Sequence, residues 1–196
     1  MGDQLEGLKK KFPDIDPFLL KKWERIFNVF FDRNASDSVD WGDFYIVVRQ
    51  ARDIYGAQSE QLQFARSSMK TLWEALRKAA DKDNDNIISV EEWISVLKGT
   101  ENEQSHPWFT DYARFMFKLF DVSCDGMLDI AEYADGMRAY GCSESVSHEC
   151  FKKFAVNKNG EPVATIEFPE FKELFKEYFH STDPNAKGTV LFGPFA

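Results

Sequence analysis

The stretch Asp81-Lys82-Asp83-Asn84-Asp85-Asn86-Ile87-Ile88-Ser89-Val90-Glu91-Glu92 decides how this 196-residue chain is read. Oxygen-bearing side chains recur at alternate positions and end on a glutamate at the twelfth. At that spacing a short loop can wrap one hard cation, with ligands from positions 1, 3, 5, 7 (through the backbone carbonyl), 9 and 12. Those positions hold Asp81, Asp83, Asp85, Ile87, Ser89 and Glu92. Position 6 must turn sharply and usually takes glycine. Asn86 stands there, and its short amide tolerates the left-handed backbone.

The pattern repeats, which separates it from chance in an acidic chain. A loop from Asp121 to Glu132 offers Asp121, Ser123, Asp125, the Met127 carbonyl, Asp129 and Glu132, with Gly126 at the turn. A loop beginning at Asp32 offers Asp32, Asn34, Ser36, the Ser38 carbonyl, Asp40 and Asp43. Here Asp37 replaces the turn glycine, and the last carboxylate is a carbon shorter. A stretch from Asn159 to Glu170 keeps the frame but places Val163 at position 5 and Ala164 at position 6, so it reads as unable to bind. Position 8 is aliphatic each time (Val39, Ile88, Leu128, Ile166) and position 13 aromatic each time (Phe44, Trp93, Tyr133, Phe171). Metal ligation does not require that. Paired helix-loop-helix hands do: position 8 bridges two loops and position 13 plugs the core below. The expected fold is all-α, an EF-hand protein of four hands in two packed pairs. Residues 1-100 carry hands one and two; residues 101-196 carry hand three, the degenerate hand four and a packed tail.

A hydrophobic content of 43% can supply a sizeable core. Aromatic residues sit at helical spacing: Trp23, Phe27, Phe30 and Phe31; Phe115, Phe117 and Phe120; Phe168, Phe171, Phe175 and Phe179. They read as core, with an apolar ligand cavity as the sharper alternative. The net charge of −9 leaves no basic face for nucleic acid. Part of that charge is ligand, and three divalent cations would neutralise most of it. Cys124, Cys142 and Cys150 form no CxxC pair, no apolar run is long enough to span a membrane, and the start has no signal-peptide pattern. These features place the chain in the cytoplasm without stable membrane insertion, and a monomer is expected. Met1-Gly2 is followed by Glu6 where an acylation signal wants serine or threonine, so a lipid anchor is rejected.

Apolar period and caps predict helices over about 17–31, 41–55, 60–80, 90–97, 108–120, 130–140, 145–156 and 168–180. Gly99 to Pro107 reads as a hinge. The tail keeps Val190, Leu191, Phe192 and Phe195, and is expected to pack back on the body.

Four hands, a decayed last loop, Asp43 closing the first, the tail Asp183-Pro184 … Lys187-Gly188 … Leu191-Phe192-Gly193, and the stretches Leu76-Arg77-Lys78 … Glu91-Glu92-Trp93 and Arg114-Phe115-Met116-Phe117 resemble the calexcitins. More broadly they resemble the invertebrate sarcoplasmic calcium-binding proteins. The resemblance implies a non-enzymatic protein that binds Ca2+, with Mg2+ competing, and acts as a buffer or neuronal calcium signal. Two alternatives are a sensor that opens a groove for a protein target and a luciferin-binding relative of the calcium-triggered photoproteins. Photoproteins use buried histidines, and the matching position on the last helix is Phe175; His106, His148 and His180 fall near predicted helix ends. Sensors open Met-rich grooves, whereas Met1, Met69, Met116, Met127 and Met137 are dispersed. No phosphate-binding GxxxxGK[ST] loop is present, and Asn157-Lys158-Asn159-Gly160 lacks the aspartate that would read guanine.

Overall fold

Helices form where apolar residues recur at helical period, and those entering the first three loops stop at the loop's first aspartate. In the computed structural model, which describes residues 2–100 and 107–195, they are α1 (Gly2–Lys11), α2 (Pro17–Ile26), α3 (Trp41–Tyr55), α4 (Glu60–Ala80), α5 (Val90–Leu97), α6 (Pro107–Phe120), α7 (Ile130–Arg138), α8 (Glu144–Phe154) and α9 (Phe168–His180). His106 and most of the segment read as a hinge lie outside the described residues, as does Met1.

Four short strands sit inside the loops: β1 (Ser38–Val39), β2 (Ile88–Ser89), β3 (Met127–Asp129) and β4 (Thr165–Glu167). β1 pairs antiparallel with β2 through Val39 opposite Ile88, and β3 with β4 through Leu128 opposite Ile166. The position-8 residues therefore meet as expected. They are almost fully buried, as are the aromatics at position 13: Phe44 4% exposed, Trp93 1%, Tyr133 0% and Phe171 0%.

The described chain divides into two compact units, Met1–Phe109 and Thr110–Ala196. In the first, the ring of Phe31 lies 4.6 Å from Trp93 and 6.0 Å from Phe44, and Phe44 lies 5.4 Å from Trp73. Trp93 donates its indole N–H to the Trp23 carbonyl at 2.9 Å, which satisfies the polar edge of a buried ring. α1 was not foreseen in the sequence. It is anchored by Leu8, 2% exposed, and by ion pairs Lys11–Glu91 and Asp14–Lys98 in the segment around it.

The entry to the first loop also differs from the expected uniform helix. After Ile26 the chain widens into a π-turn over Phe27–Phe31. Elsewhere the boundaries shift by one or two residues. α7 ends at Arg138 because Ala139, Tyr140 and Gly141 bond three residues back, and Val156 leaves α8 to bridge Pro162.

In the second unit Tyr133 packs its ring 5.1 Å from Phe154 and 6.1 Å from Phe120, and donates its hydroxyl to the Leu191 carbonyl at 2.8 Å. The tail folds back as expected, with Leu191 and Phe192 both 0% exposed. Its seat depends on Gly188, whose N–H donates to Glu177 at 2.8 Å. A Cβ on Gly188 would lie 2.3 Å from the Leu174 carbonyl oxygen, a backbone atom that cannot yield. Gly188→Ala is expected to cost about 1–3 kcal/mol of stability by overpacking, read from urea unfolding. An unchanged midpoint would mean that the tail is not held there.

Candidate metal centres in the hand loops

The three loops expected to bind share one local construction. The first aspartate turns back on its loop: Asp32, Asp81 and Asp121 each accept through Oδ2 from the N–H of position 6, at 2.8 Å from Asp37, 3.2 Å from Asn86 and 3.1 Å from Gly126. Positions 4 and 6 both take the left-handed backbone. Their φ angles are 57° and 62° at Ala35 and Asp37, 61° and 65° at Asn84 and Asn86, and 59° and 81° at Cys124 and Gly126. Only the last is glycine, so five residues with side chains adopt a conformation that costs them energy.

Positions 9 and 12 form a capping box in all three loops. Asp40, Ser89 and Asp129 cap the exit helices, while the position-12 carboxylates accept from the cap backbone. Asp43 Oδ2 receives the Asp40 N–H at 2.9 Å, Glu92 Oε2 the Ser89 N–H at 2.9 Å and Glu132 Oε2 the Asp129 N–H at 3.3 Å. The other oxygen reaches across to the loop start. Glu92 Oε1 receives the Lys82 N–H at 3.0 Å and Glu132 Oε1 the Ser123 N–H at 2.9 Å. Asp43 Oδ1 receives two, from Arg33 at 2.9 Å and Asn34 at 3.1 Å. Ligand spacing and capping spacing coincide, so one pair of residues closes the loop and starts the helix.

The loops differ at position 5. Asp85 and Asp125 each accept the N–H of position 7, Ile87 and Met127, at 2.8 Å, which fixes one carboxylate oxygen and leaves the other. Ser36 instead donates to the Ser38 carbonyl at 3.0 Å, so two expected ligands of loop one are bonded to each other, as Ser89 and Glu92 are in loop two at 2.8 Å. Burial pushes the Asp43 carboxyl above its ordinary range despite the amide bonds from Asp40, Asn34 and Arg33. Burial also raises Glu92, but bonds from Ser89 and Lys82 outweigh it, and that carboxyl sits below its usual range.

Loop two carries the features that point most directly to a cation. Asp81, Asp83 and Asp85 place carboxylate oxygens within 4.8 Å of one another, the only such group among the described residues searched. Asp81 Oδ1 is buried and has no hydrogen-bond partner. A desolvated carboxylate oxygen without a donor is costly, and a hard divalent cation is the group it fits. Ser89, the Ile87 carbonyl and Glu92 are the remaining ligands expected from the sequence.

The stretch Asn159–Glu170 has none of this construction. Pro162 stands at position 4, where its ring forbids a positive φ, and neither it nor Ala164 takes the left-handed backbone. Val163 donates to the Ala155 carbonyl at 2.9 Å, and the Glu161 carboxylate is held by the Asn157 amide at 2.8 Å. Glu167 precedes α9 without making a side-chain cap, so the link between positions 9 and 12 is missing as well.

Comparison with known proteins agrees with this fold. A family model for an EF-hand domain pair matches residues 110–176. Calexcitin-1 of Caenorhabditis elegans is 53% identical over 189 residues, covering 96% of this chain and 93% of the relative. The chain belongs to the calexcitin family. A sarcoplasmic calcium-binding protein from amphioxus has the same fold, with a TM-score of 0.78 at 22% identity, covering 93% of this chain and 100% of that one. The photoprotein clytin shares the fold with a TM-score of 0.65 at 19% identity, over 92% of this chain and 95% of its own.

In this calexcitin-family chain, Phe175 is fully buried among Tyr112, Phe179 and Phe192, an aromatic core position with no proton to give or take. The three cysteines form no disulfide among the described residues, with Cys124 exposed, Cys142 half-buried and Cys150 buried. Two features of the loops had no mark in the sequence. Arg77 donates from α4 to the Asn86 side-chain oxygen at 2.9 Å and steadies the turn that lacks glycine. Ala35 and Cys124 take left-handed φ although neither residue type signals it.

Proposed function

We propose that this calexcitin-family chain is a calcium buffer, or a calcium signal with modest opening, that binds Ca2+ through loops two and three and more weakly through loop one. The orphaned Asp81 Oδ1 within the Asp81–Asp83–Asp85 group carries the reading, since it asks for a cation and nothing in the protein answers. In loop two the ligands are Asp81, Asp83, Asp85, the Ile87 carbonyl, Ser89 and Glu92. In loop three they are Asp121, Ser123, Asp125, the Met127 carbonyl, Asp129 and Glu132. Each loop is already curled by backbone amides that its first aspartate and its position-12 glutamate accept. A bound divalent cation supplies the positive charge that relieves repulsion among these carboxylates.

Buffering is favoured over sensing by where the methionines sit. Met69, Met116 and Met137 are at most 2% exposed and lie on separate helices, so among the described residues they form no groove-lining cluster. The reading involves no catalysis and takes the chain to be a cytosolic monomer. Its cysteines, not joined in disulfides, fit a reducing compartment, and no described helix is long and apolar enough to cross a membrane.

Loop one is read as a mixed site for Ca2+ and Mg2+, using Asp32, Asn34, Ser36, the Ser38 carbonyl, Asp40 and Asp43. Ser36 and Ser38 must give up their mutual bond, and Asp43 is short and fixed through both oxygens. That favours a small octahedral cage. Asp43→Glu is expected to shift the preference of this site toward calcium by about tenfold, measured by magnesium-competition calorimetry. Unmoved selectivity would show that the terminal carboxylate does not set the cage.

A further inference from the structure

The first loop is closed by the shorter carboxylate, yet that carboxylate holds more of the loop. Asp43 Oδ1 binds the amides of Arg33 and Asn34, whereas Glu92 and Glu132 hold one loop-start amide each through Oε1. Asp43 is also 1% exposed. A side chain lacking one carbon can do this only if the loop start comes nearer to the exit helix.

The entering helices show how. Into loops two and three they stay α-helical to the end: Asp81 N–H donates to the Arg77 carbonyl at 2.9 Å and Asp121 N–H to Phe117 at 2.8 Å, four residues back. Into loop one Asp32 N–H donates to Phe27 at 2.8 Å, five residues back, across the π-turn Phe27–Phe31. That turn holds one more residue than an α-turn, and such turns occur often at functional sites. It is not a packing defect, because Phe27, Phe30 and Phe31 all remain buried.

We infer that the π-turn Phe27–Phe31 and Asp43 are a matched pair, the extra residue of the entering turn carrying the start of loop one to a carboxylate too short to reach it otherwise. Phe27–Phe31 is thus a positioning element that sets the ion size accepted by loop one. The inference rests on the reading of loop one as a metal site, although the match itself exists before any ion binds.

The test removes the half-buried, non-ligating Val29, which returns the turn to α register, with and without Asp43→Glu. In metal-free protein, hydrogen exchange of the Arg33 and Asn34 amides reads the closure directly. Deletion of Val29 is expected to remove their protection and to lower magnesium affinity at loop one by about tenfold or more, with loops two and three unchanged. Adding Asp43→Glu is expected to restore protection and return the site with a preference for calcium. Protected amides in the deletion variant, or no recovery in the double variant, would overturn the match. If loop one of the natural chain binds neither ion, the metal reading of that loop fails, and the exchange result still decides the match. Should the deletion unfold the first unit, the converse transplant decides it: Glu92→Asp alone should lose calcium at loop two, and an alanine inserted in the last turn of α4 should recover it. No recovery there also overturns the inference.

Discussion

Glu92→Gln is expected to abolish high-affinity calcium binding at loop two while leaving loop three intact, and Glu132→Gln to do the reverse. In the proposed assignment each glutamate is the bidentate ligand of its loop, and it is also the acceptor that ties loop start to helix cap. Glutamine keeps the length but removes the charge and turns one acceptor into a donor facing the same amides. The loss should be about 100-fold or more in affinity. Calorimetry on both variants reads it, and two unchanged binding curves would remove these loops from the account.

Saturating calcium should raise the melting temperature steeply without exposing apolar surface. A ligand bound by the native state alone stabilises it by about 4 kcal/mol at roughly a thousandfold excess over Kd. In a chain of this size that corresponds to about 10 °C for each such site. Dye binding should stay nearly flat, because the side chains that pair the loops are buried: Val39, Ile88, Leu128 and Ile166 are at most 1% exposed. A large calcium-dependent gain in dye fluorescence, or capture of an amphipathic helix, would move the assignment to a sensor.

The hands could be read from the sequence because their side chains do two things at once. At positions 9 and 12 the residues that suit a cation also cap the exit helix, and the residues at positions 8 and 13 are fixed by pairing and packing. Each position is therefore constrained twice, and the loop boundaries follow. α1 carried no such double constraint: it is short, has no distinctive start, and owes its position to Leu8 and to ion pairs with distant residues. The π-turn was hidden because Phe27, Phe30 and Phe31 suit an α-helix equally well, and the extra residue appears only in the bond from Asp32 to Phe27. The bond between Ser36 and Ser38 was equally hidden, since sequence shows two oxygen donors and not whether they satisfy each other. The decay of the last loop was visible at Val163 and Ala164, while the structure adds that α8 ends at Phe154, so that Ala155 takes the helix-ending place held by Asp81 and Asp121 in loops two and three.

The most direct measurement is a calcium titration by calorimetry, run without magnesium and again with magnesium in large excess. Loops two and three should titrate in both conditions, and loop one should titrate only when magnesium is absent. The heat from a fourth site, or the loss of loop two or three under magnesium, would contradict the assignment of three sites and their order.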